Sequence, residues 1–163
     1  MSTTSAIPCD HRPLWRHVIG LLQRVRKAAV EVDGHCVGMI GHGLLVLVCA
    51  EPDDGAVQAD KFVDKLLKLR IFNDAAGKMN LSLVDVAGGL LIVSQFTLAA
   101  DTRSGNRPSF TGAASAAQGQ ALYDQVLAMA RARHSPVAAG IFGADMQVAL
   151  VNDGPVTVPL RIT

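Results

Sequence analysis

An unbroken apolar run over Leu44–Ala50 places the strongest constraint on how this chain can fold. The run is rich in Leu and Val, and it is far shorter than the ~18 residues that an apolar helix needs to cross a bilayer. Its length and composition therefore predict a buried β-strand. The chain has 163 residues, which suits one domain with a core large enough to need no disulfide or metal.

Three further apolar runs near the start of the chain predict strands, over Val18–Val25, Ala28–Val32 and Cys36–Ile40. Asp33 and Gly34 separate the second run from the third. An Asp-Gly pair between apolar runs indicates a tight hairpin turn, because both central turn positions favour positive φ.

Two segments have the apolar spacing of amphipathic helices. The first follows the break at residues 51–55, from which we expect an aspartate to cap the helix. Its apolar face is predicted to be Ala59, Phe62, Val63 and Leu66. The second is predicted from about Ser115 to Arg133, with Ser115 and Gln118 at capping-box spacing. Its apolar face is predicted to be Tyr123, Val126, Leu127 and Ala130.

The remaining segments predict more strands. Leu81–Val86 and Leu90–Leu98 are expected to be strands joined by a tight turn, and Ala99–Gly112 is expected to be a loop. Three short strands are predicted near 138–142, 146–151 and 156–162. Consecutive strands with two isolated helices predict an α+β fold in a single domain over residues 18–163.

Composition and charge narrow the classes of function. The net charge is +1 and the sequence pI is near 7.8, which argues weakly against a dedicated nucleic-acid-binding domain. Hydrophobic residues make up 50% and charged residues 18%, an excess that suggests a subunit interface. We expect free thiols in a reducing compartment because Cys9, Cys36 and Cys49 lack CxxC spacing. The five histidines show no metal-binding spacing, so no metal site is expected.

Residues 1–17 mix Ser, Thr, Pro, His and Arg without periodicity and predict a disordered N-terminal extension. They contain no apolar region of a secretory signal, so we expect a soluble, cytoplasmic protein with no membrane partner. The extension is native, a remnant of an expression vector, or a consequence of a misassigned start, with translation beginning at Val18.

Polar residues at the end of an apolar strand form the first candidate site. Ser94, Gln95 and Thr97 place two hydroxyls and an amide beside Phe96, where a core strand would favour aliphatic residues. The alternative interpretation is that these residues show only the usual alternation of apolar and polar side chains at the end of a strand. No histidine is near in sequence, which lowers the case for a Ser-His-Asp triad.

The segment Val151–Thr157 contains the second candidate, Gly154-Pro155. It is either a plain turn or a backbone that approaches a ligand closely, which glycine permits. A cis peptide bond at this position would be a functional indication, because most X-Pro bonds are trans.

Together these residues resemble the D-aminoacyl-tRNA deacylases, in a match that runs from about Val18 to Thr163. Eight motifs in family order carry the resemblance: Leu22–Val25, Val32–Gly34, Arg70–Asp74, Gly77–Leu81, Ser94–Leu98, Gly105–Phe110, Phe142–Val148 and Asn152–Thr157.

The resemblance implies hydrolysis of the ester that joins a D-amino acid to the 3′ end of tRNA, in a homodimer without cofactor or metal. It implies a barrel-like core of antiparallel and mixed β-sheets with two flanking helices. Ser94, Gln95, Phe96 and Thr97 would line the catalytic pocket. Gly154 and Pro155, joined by a cis bond, would enter the other subunit's site and reject L-amino acids. Arg24 would brace that dipeptide, and Met146 would pack near the pocket.

Rejection of L side chains would leave glycine unopposed, so we expect glycyl esters, including glycine mischarged on alanine tRNA, to be accepted. Backbone N–H groups around Phe96 and Thr97 could stabilise the oxyanion. We favour assistance by the 2′-hydroxyl of the substrate over Thr97 as a covalent nucleophile, because no activating base is evident.

The sequence does not decide whether the basic residues contact tRNA, and it leaves two rival functions open. Lys78 and Arg107 either contact the acceptor end of tRNA or are solvated loop residues, and Lys61, Lys65 and Lys68 are expected to be a solvated helix face. The rival functions are a module that binds RNA without turnover and an esterase without a tRNA requirement.

Overall fold

The computed structural model describes residues 17–163. The disordered extension predicted over residues 1–17 lies outside the described residues except for His17. The elements in chain order are β1 (Val18–Val32), β2 (His35–Ile40), β3 (Gly43–Cys49), α1 (Ala56–Lys68), β4 (Phe72–Asn73), β5 (Met79–Leu81), β6 (Gly89–Ser94), a 3₁₀ helix (Phe96–Ala99), α2 (Ala116–Arg133), β7 (Val137–Ala139) and β8 (Gln147–Ile162). No helix among these residues is long and apolar enough to cross a membrane.

Strand β1 is the centre of the main sheet. On one side its first half pairs antiparallel with β3 and its second half pairs antiparallel with β2. On the other side β8 pairs antiparallel with both halves. Strands β3, β6 and β7 continue the sheet in parallel pairs, so the sheet is mixed.

The sheet curls until β2 approaches β7, which nearly closes a barrel. At the point of approach, a Cβ atom placed on Gly38 would lie 2.6 Å from the carbonyl oxygen of Ala139. The absence of a side chain on Gly38 therefore allows the two strands to come together. The predicted α+β fold with a barrel-like core and two helices is confirmed, and the homodimer stays a prediction.

The central strands are buried on both faces, which explains their unbroken apolar sequences. Leu44, Val46 and Val48 of β3 contribute to a core that includes α1 and α2, whereas Leu45 packs in a second core with Val25. The same alternation holds in β6. The predicted apolar faces of both helices are buried in the first core.

The ends of the elements agree with part of the prediction. Asp33 and Gly34 adopt φ values of 50° and 76°, as the predicted hairpin turn requires. Ser115 caps α2 in a capping box with Gln118. The aspartate cap on α1 was wrong: Gly55 is the N-cap, and its N–H donates to the side chain of Gln58 at 3.1 Å.

Several predicted strands were wrong. Residues 83–87 form turns instead of a strand, because Ser82 donates from its N–H and its hydroxyl to Asp85 and so competes with strand pairing. The strand expected over Leu90–Leu98 ends at Ser94. The last two predicted strands are the single strand β8, and the β4–β5 hairpin was not predicted.

Substitution of Gly38 by alanine should destabilise the protein, since the new methyl group would overlap the backbone of Ala139. We expect a loss of about 1–3 kcal/mol in the free energy of unfolding, measured by urea denaturation. Gly41→Ala is the matched control because a Cβ on Gly41 meets no atom within 4 Å. An equal loss in both variants would show that the β2–β7 approach is not the cause.

Candidate active site

The chain turns sharply after β6, and this turn contains the predicted Ser94–Thr97 segment. Ser94 is the last residue of β6, and the N–H of Gln95 donates to the carbonyl of Val48 at 2.8 Å. The 3₁₀ helix then begins at Phe96. Strand pairing therefore fixes Ser94 and Gln95, while Phe96 leaves the sheet with its side chain 59% exposed.

The side chain of Thr97 is held by its neighbour. The amide nitrogen of Gln95 donates a hydrogen bond to the hydroxyl oxygen of Thr97. An amide has no basic lone pair on nitrogen and cannot remove the proton of that hydroxyl. Gln95 therefore orients Thr97 without activating it as a nucleophile.

The backbone of the turn offers hydrogen-bond donors. Within residues 17–163, the N–H groups of Phe96 and Thr97 have no hydrogen-bond acceptor, whereas the N–H of Leu98 already donates to Gln95. The first N–H groups of a helix lack partners inside the helix. Two neighbouring free donors of this kind can stabilise a developing negative charge on oxygen.

Two cavities share this turn as a wall. The first, which we call the apolar cavity, has a volume of about 430 Å³ and the second, the Met146 cavity, has about 240 Å³. Ser94, Gln95, Phe96 and Gly143 line both cavities. A ligand that spans them would pass directly over the turn.

Aromatic rings shape the apolar cavity. Phe96 and Phe110 meet edge to face with ring centroids 5.2 Å apart, and Tyr123 and Phe142 lie 6.0 Å apart in a tilted arrangement. The sequence did not predict a role in the site for Phe110, Tyr123 or Phe142, although Phe110 and Phe142 lie in family motifs. Tyr123 was assigned only to the apolar face of α2, because a periodic pattern cannot distinguish a core face from a cavity wall.

The two titratable side chains on this wall are neutral. Burial, assisted by the nearby negative charge of Glu51, raises the pKa of the Cys49 thiol to about 11. Burial raises the pKa of Tyr123 to about 12, and its hydroxyl donates to the carbonyls of Ile92 and Gly140 at 2.9 and 3.2 Å. Among residues 17–163, no histidine or acidic side chain lines either cavity.

Met146 lies beside the Ser94–Phe96 turn. It lines the Met146 cavity together with Ser94. A Cβ atom on Gly140 would lie 2.6 Å from the sulfur of Met146, so the side chain packs over the bare backbone of that glycine.

Gly154 and Pro155 lie in β8 and line neither cavity. Their peptide bond is cis, and both residues are exposed in the protomer. Gly154 has a φ of 136°, a conformation that favours glycine. One protomer thus brings Met146 to the Ser94–Phe96 turn but does not bring the dipeptide there.

Arg24 connects the dipeptide to the core. The residue is 6% exposed, and its guanidinium donates to the carbonyls of Asp153 and Ile71 at 3.0 and 2.8 Å and to the side chain of Asn73 at 3.3 Å. The carboxylate of Asp153 also lies 3.5 Å from the Arg24 guanidinium. A buried charge held by this many acceptors fixes the backbone that leads into Gly154.

The other predicted contacts are less specific. Lys78 and Arg107 are exposed and line neither cavity. Lys68 pairs with Asp64 at 2.6 Å, which supports the solvated-face interpretation of α1. Among residues 17–163, no cluster of three or more His, Cys, Asp or Glu residues could hold a metal ion.

Comparisons with known proteins identify the family. The sequence model of the family described as D-Tyr-tRNA(Tyr) deacylase matches residues 21–161. The chain is 68% identical over 145 residues to a protein of Methylibium petroleiphilum named D-aminoacyl-tRNA deacylase, covering 89% of this chain and 95% of that protein. A protein of Acidovorax ebreus with the same name is 68% identical over 150 residues, covering 89% and 98% of the two chains. The chain belongs to the D-Tyr-tRNA(Tyr) deacylase family.

Solved structures support the fold. A structure titled c-Myc DNA Unwinding Element Binding Protein is 38% identical with a TM-score of 0.82, covering 87% of this chain and 97% of that chain. A structure titled as a probable eukaryotic D-amino acid tRNA deacylase has a TM-score of 0.79 at 20% identity, covering 90% of this chain and 100% of that chain. At that identity the second likeness shows the fold alone.

Proposed function

We propose that this chain is a hydrolase that cleaves the ester of D-aminoacyl-tRNA to a free D-amino acid and tRNA, in the cytoplasm where tRNA is aminoacylated. The observation that carries the proposal is the Ser94–Thr97 turn, which combines two free N–H donors with two cavities. Relatives with 68% identity are named for this activity, and the motif residues lie at the turn.

The two cavities suit the two parts of the substrate's 3′ end. The terminal adenine is a flat aromatic base, and the apolar cavity offers it aromatic rings on one wall. The ester then lies over the turn, with Ser94 to Thr97 as the catalytic segment. The aminoacyl group lies on the side of the Met146 cavity.

The reaction needs little help from side chains. Water attacks the carbonyl carbon, the carbon bond to the ribose 3′-oxygen breaks, and that oxygen leaves with a proton as the tRNA 3′-hydroxyl. The N–H groups of Phe96 and Thr97 stabilise the oxyanion of the tetrahedral intermediate. The 2′-hydroxyl of the substrate assists the proton transfer. The absence of a histidine or acidic side chain from both cavity walls within residues 17–163, and the hydrogen bond from Gln95 to Thr97, favour this route over Thr97 as a nucleophile.

A homodimer completes the site in this proposal. Strand register places Met39, Ala29 and Ala149 side by side on one face of β2, β1 and β8, next to Val151. Met39 is 67% exposed and Val151 is 43% exposed, so this face carries apolar surface that a second copy can cover.

The dipeptide of the partner copy would provide stereochemical selection. Gly154 and Pro155 are exposed, and Arg24 holds the carbonyl of the preceding residue, Asp153, which suits a rigid element that enters a neighbouring site. With the α-ammonium and the ester fixed, an L side chain points into the dipeptide and clashes, whereas a D side chain points away. Glycine has no side chain to reject, so glycyl-tRNA, including glycine on alanine tRNA, is also a substrate.

The activity test compares three substrates of the purified protein: D-Tyr-tRNA, L-Tyr-tRNA and D-tyrosine ethyl ester. We expect rapid release of tyrosine from D-Tyr-tRNA alone, because the apolar cavity, which holds the terminal adenine in this proposal, contributes binding that the ethyl ester cannot use. Equal turnover of the ethyl ester would favour an esterase without a tRNA requirement. Binding of D-Tyr-tRNA without hydrolysis would favour an RNA-binding module and contradict the proposal.

Variants at the turn separate the two mechanisms. Thr97→Ala and Ser94→Ala should each lower kcat/KM on D-Tyr-tRNA by about 10-fold or less, because the backbone donors stay in place. The assay is single-turnover deacylation, with the elution volume of each variant as a check on folding. Activity below a thousandth of wild type in folded Thr97→Ala would instead make that hydroxyl the nucleophile.

Gly154→Ala tests the selecting dipeptide. A Cβ at Gly154 would lie 2.8 Å from the Val156 side chain and 3.2 Å from the Arg24 guanidinium, at a φ that alanine rarely adopts. We expect the ratio of D-Tyr-tRNA to L-Tyr-tRNA deacylation to fall by about 10-fold or more, in line with 1.4 kcal/mol or more of lost discrimination. The control is Gly41→Ala, and an unchanged ratio in folded Gly154→Ala would remove the dipeptide from the selection mechanism.

A further inference from the structure

Within β8, residues 153–156 form a loop that bulges from the strand and carries the Gly154-Pro155 dipeptide. The side chain of Asn152 holds the C-terminal end of this loop. Its Oδ1 accepts the N–H of Val156 at 2.8 Å, and its Nδ2 donates to the carbonyl of Val156 at 3.3 Å. The same nitrogen donates to the hydroxyl oxygen of Thr157 at 3.0 Å. One amide thus satisfies both backbone groups of Val156 and spans Asp153, Gly154 and Pro155.

Strand pairing does not hold this loop. The register between β1 and β8 passes from Gln23 opposite Thr157 to Val25 opposite Asn152, so residues 153–156 have no Cα partner on β1. The backbone groups of Val156 therefore lose the partners that a regular ladder would supply. The amide of Asn152 replaces them from within β8.

The loop is consequently anchored in different ways on the two sides of the dipeptide. Before the dipeptide, buried Arg24 binds the carbonyl and the carboxylate of Asp153, and exposed Arg26 pairs with the same carboxylate at 3.3 Å. After the dipeptide, Asn152 binds Val156. Pro155 has no N–H of its own to add an anchor within the dipeptide. The position of Gly154 and Pro155 depends on the anchors on both sides.

We propose that Asn152 is a positioning residue that sets stereochemical selection, an inference that rests on the proposed function of the dipeptide. Loss of the hydrogen bonds between Asn152 and Val156 lets the dipeptide move aside, so that an L side chain no longer clashes with it. The oxyanion donors belong to the Ser94–Thr97 turn and do not contact Asn152, so deacylation of the D substrate is affected much less.

The experiment measures kcat/KM on D-Tyr-tRNA and L-Tyr-tRNA for Asn152→Ala and Asn152→Asp. The aspartate keeps the acceptor for the Val156 N–H but turns the donor into an oxygen that faces the Val156 carbonyl. We expect the D/L ratio to fall about 10-fold in both variants, while D-Tyr-tRNA activity stays within about 3-fold of wild type. Gln120→Glu, on the exposed surface of α2, makes the same amide-to-carboxylate change away from the loop and should keep the wild-type ratio.

Each outcome decides the proposal. A D/L ratio within 2-fold of wild type in a folded Asn152 variant overturns it, and so does a parallel loss of both activities. If neither Asn152 variant folds, Thr157→Val decides, because the Thr157 hydroxyl accepts from Asn152 Nδ2 at 3.0 Å. The same hydroxyl accepts from Gln23 Nε2 at 3.4 Å, so Gln23→Leu is the control for that second bond. A fall of about 3-fold in the ratio of Thr157→Val supports the proposal, and an unchanged ratio overturns it.

The proposed function and this inference fail differently. A wild-type protein without preference for D-Tyr-tRNA refutes the proposed function, and the inference falls with it. A wild-type protein that prefers D-Tyr-tRNA, together with Asn152 variants that keep the preference, refutes the inference alone.

Discussion

Pairing of β1 along both of its edges, interrupted on the β8 side by the register shifts around Arg24 and Arg26, is the constraint on which the rest of the structure depends. One edge is shared by β3 and β2, and the other is occupied by β8. A strand paired in this way cannot shift its register without breaking two ladders at once. Arg24 lies in the middle of β1, where the register to β8 changes. The backbone of Arg24 therefore has a fixed position in the sheet. Its buried guanidinium binds Asp153 and so fixes the position of the loop in β8.

The site combines rigid backbone with uncharged walls. Ser94 is held by the end of a buried parallel strand, and the turn that follows leaves the N–H groups of Phe96 and Thr97 free within the described residues. This arrangement suits a substrate that is already reactive. An aminoacyl ester needs orientation and a place for negative charge more than it needs a strong base. The cavity walls, with Cys49 and Tyr123 neutral, are consistent with that requirement.

Local patterns predicted the elements whose signals are local. The Asp33-Gly34 turn, the Ser115–Gln118 cap and the apolar helix faces depend on neighbours a few residues apart, so the sequence shows them. The strand predicted over Leu81–Val86 was wrong, because its apolar content favours a strand whereas the hydrogen bonds from Ser82 to the Asp85 carboxylate favour turns. The roles of Phe110 and Asn152 depend on contacts within the folded chain. The family resemblance implied roles for Ser94 to Thr97, Met146, Gly154 and Pro155. The structure brings Met146 to the turn, whereas Gly154 and Pro155 line neither cavity.

The neutral lining has a consequence for how the reaction responds to acidity. The described part of one protomer gives neither cavity a group that titrates near neutral pH, since the pKa values of Cys49 and Tyr123 are about 11 and about 12. The side chains that line these cavities therefore add no inflection to a plot of reaction rate against pH between mild acid and mild base. The inflections that do occur would belong to the substrate, through its α-ammonium group, and to the supply of hydroxide. Acidity would then govern the lifetime of the ester itself and its enzymatic cleavage in parallel, so that the enzyme's advantage over spontaneous hydrolysis stays nearly constant.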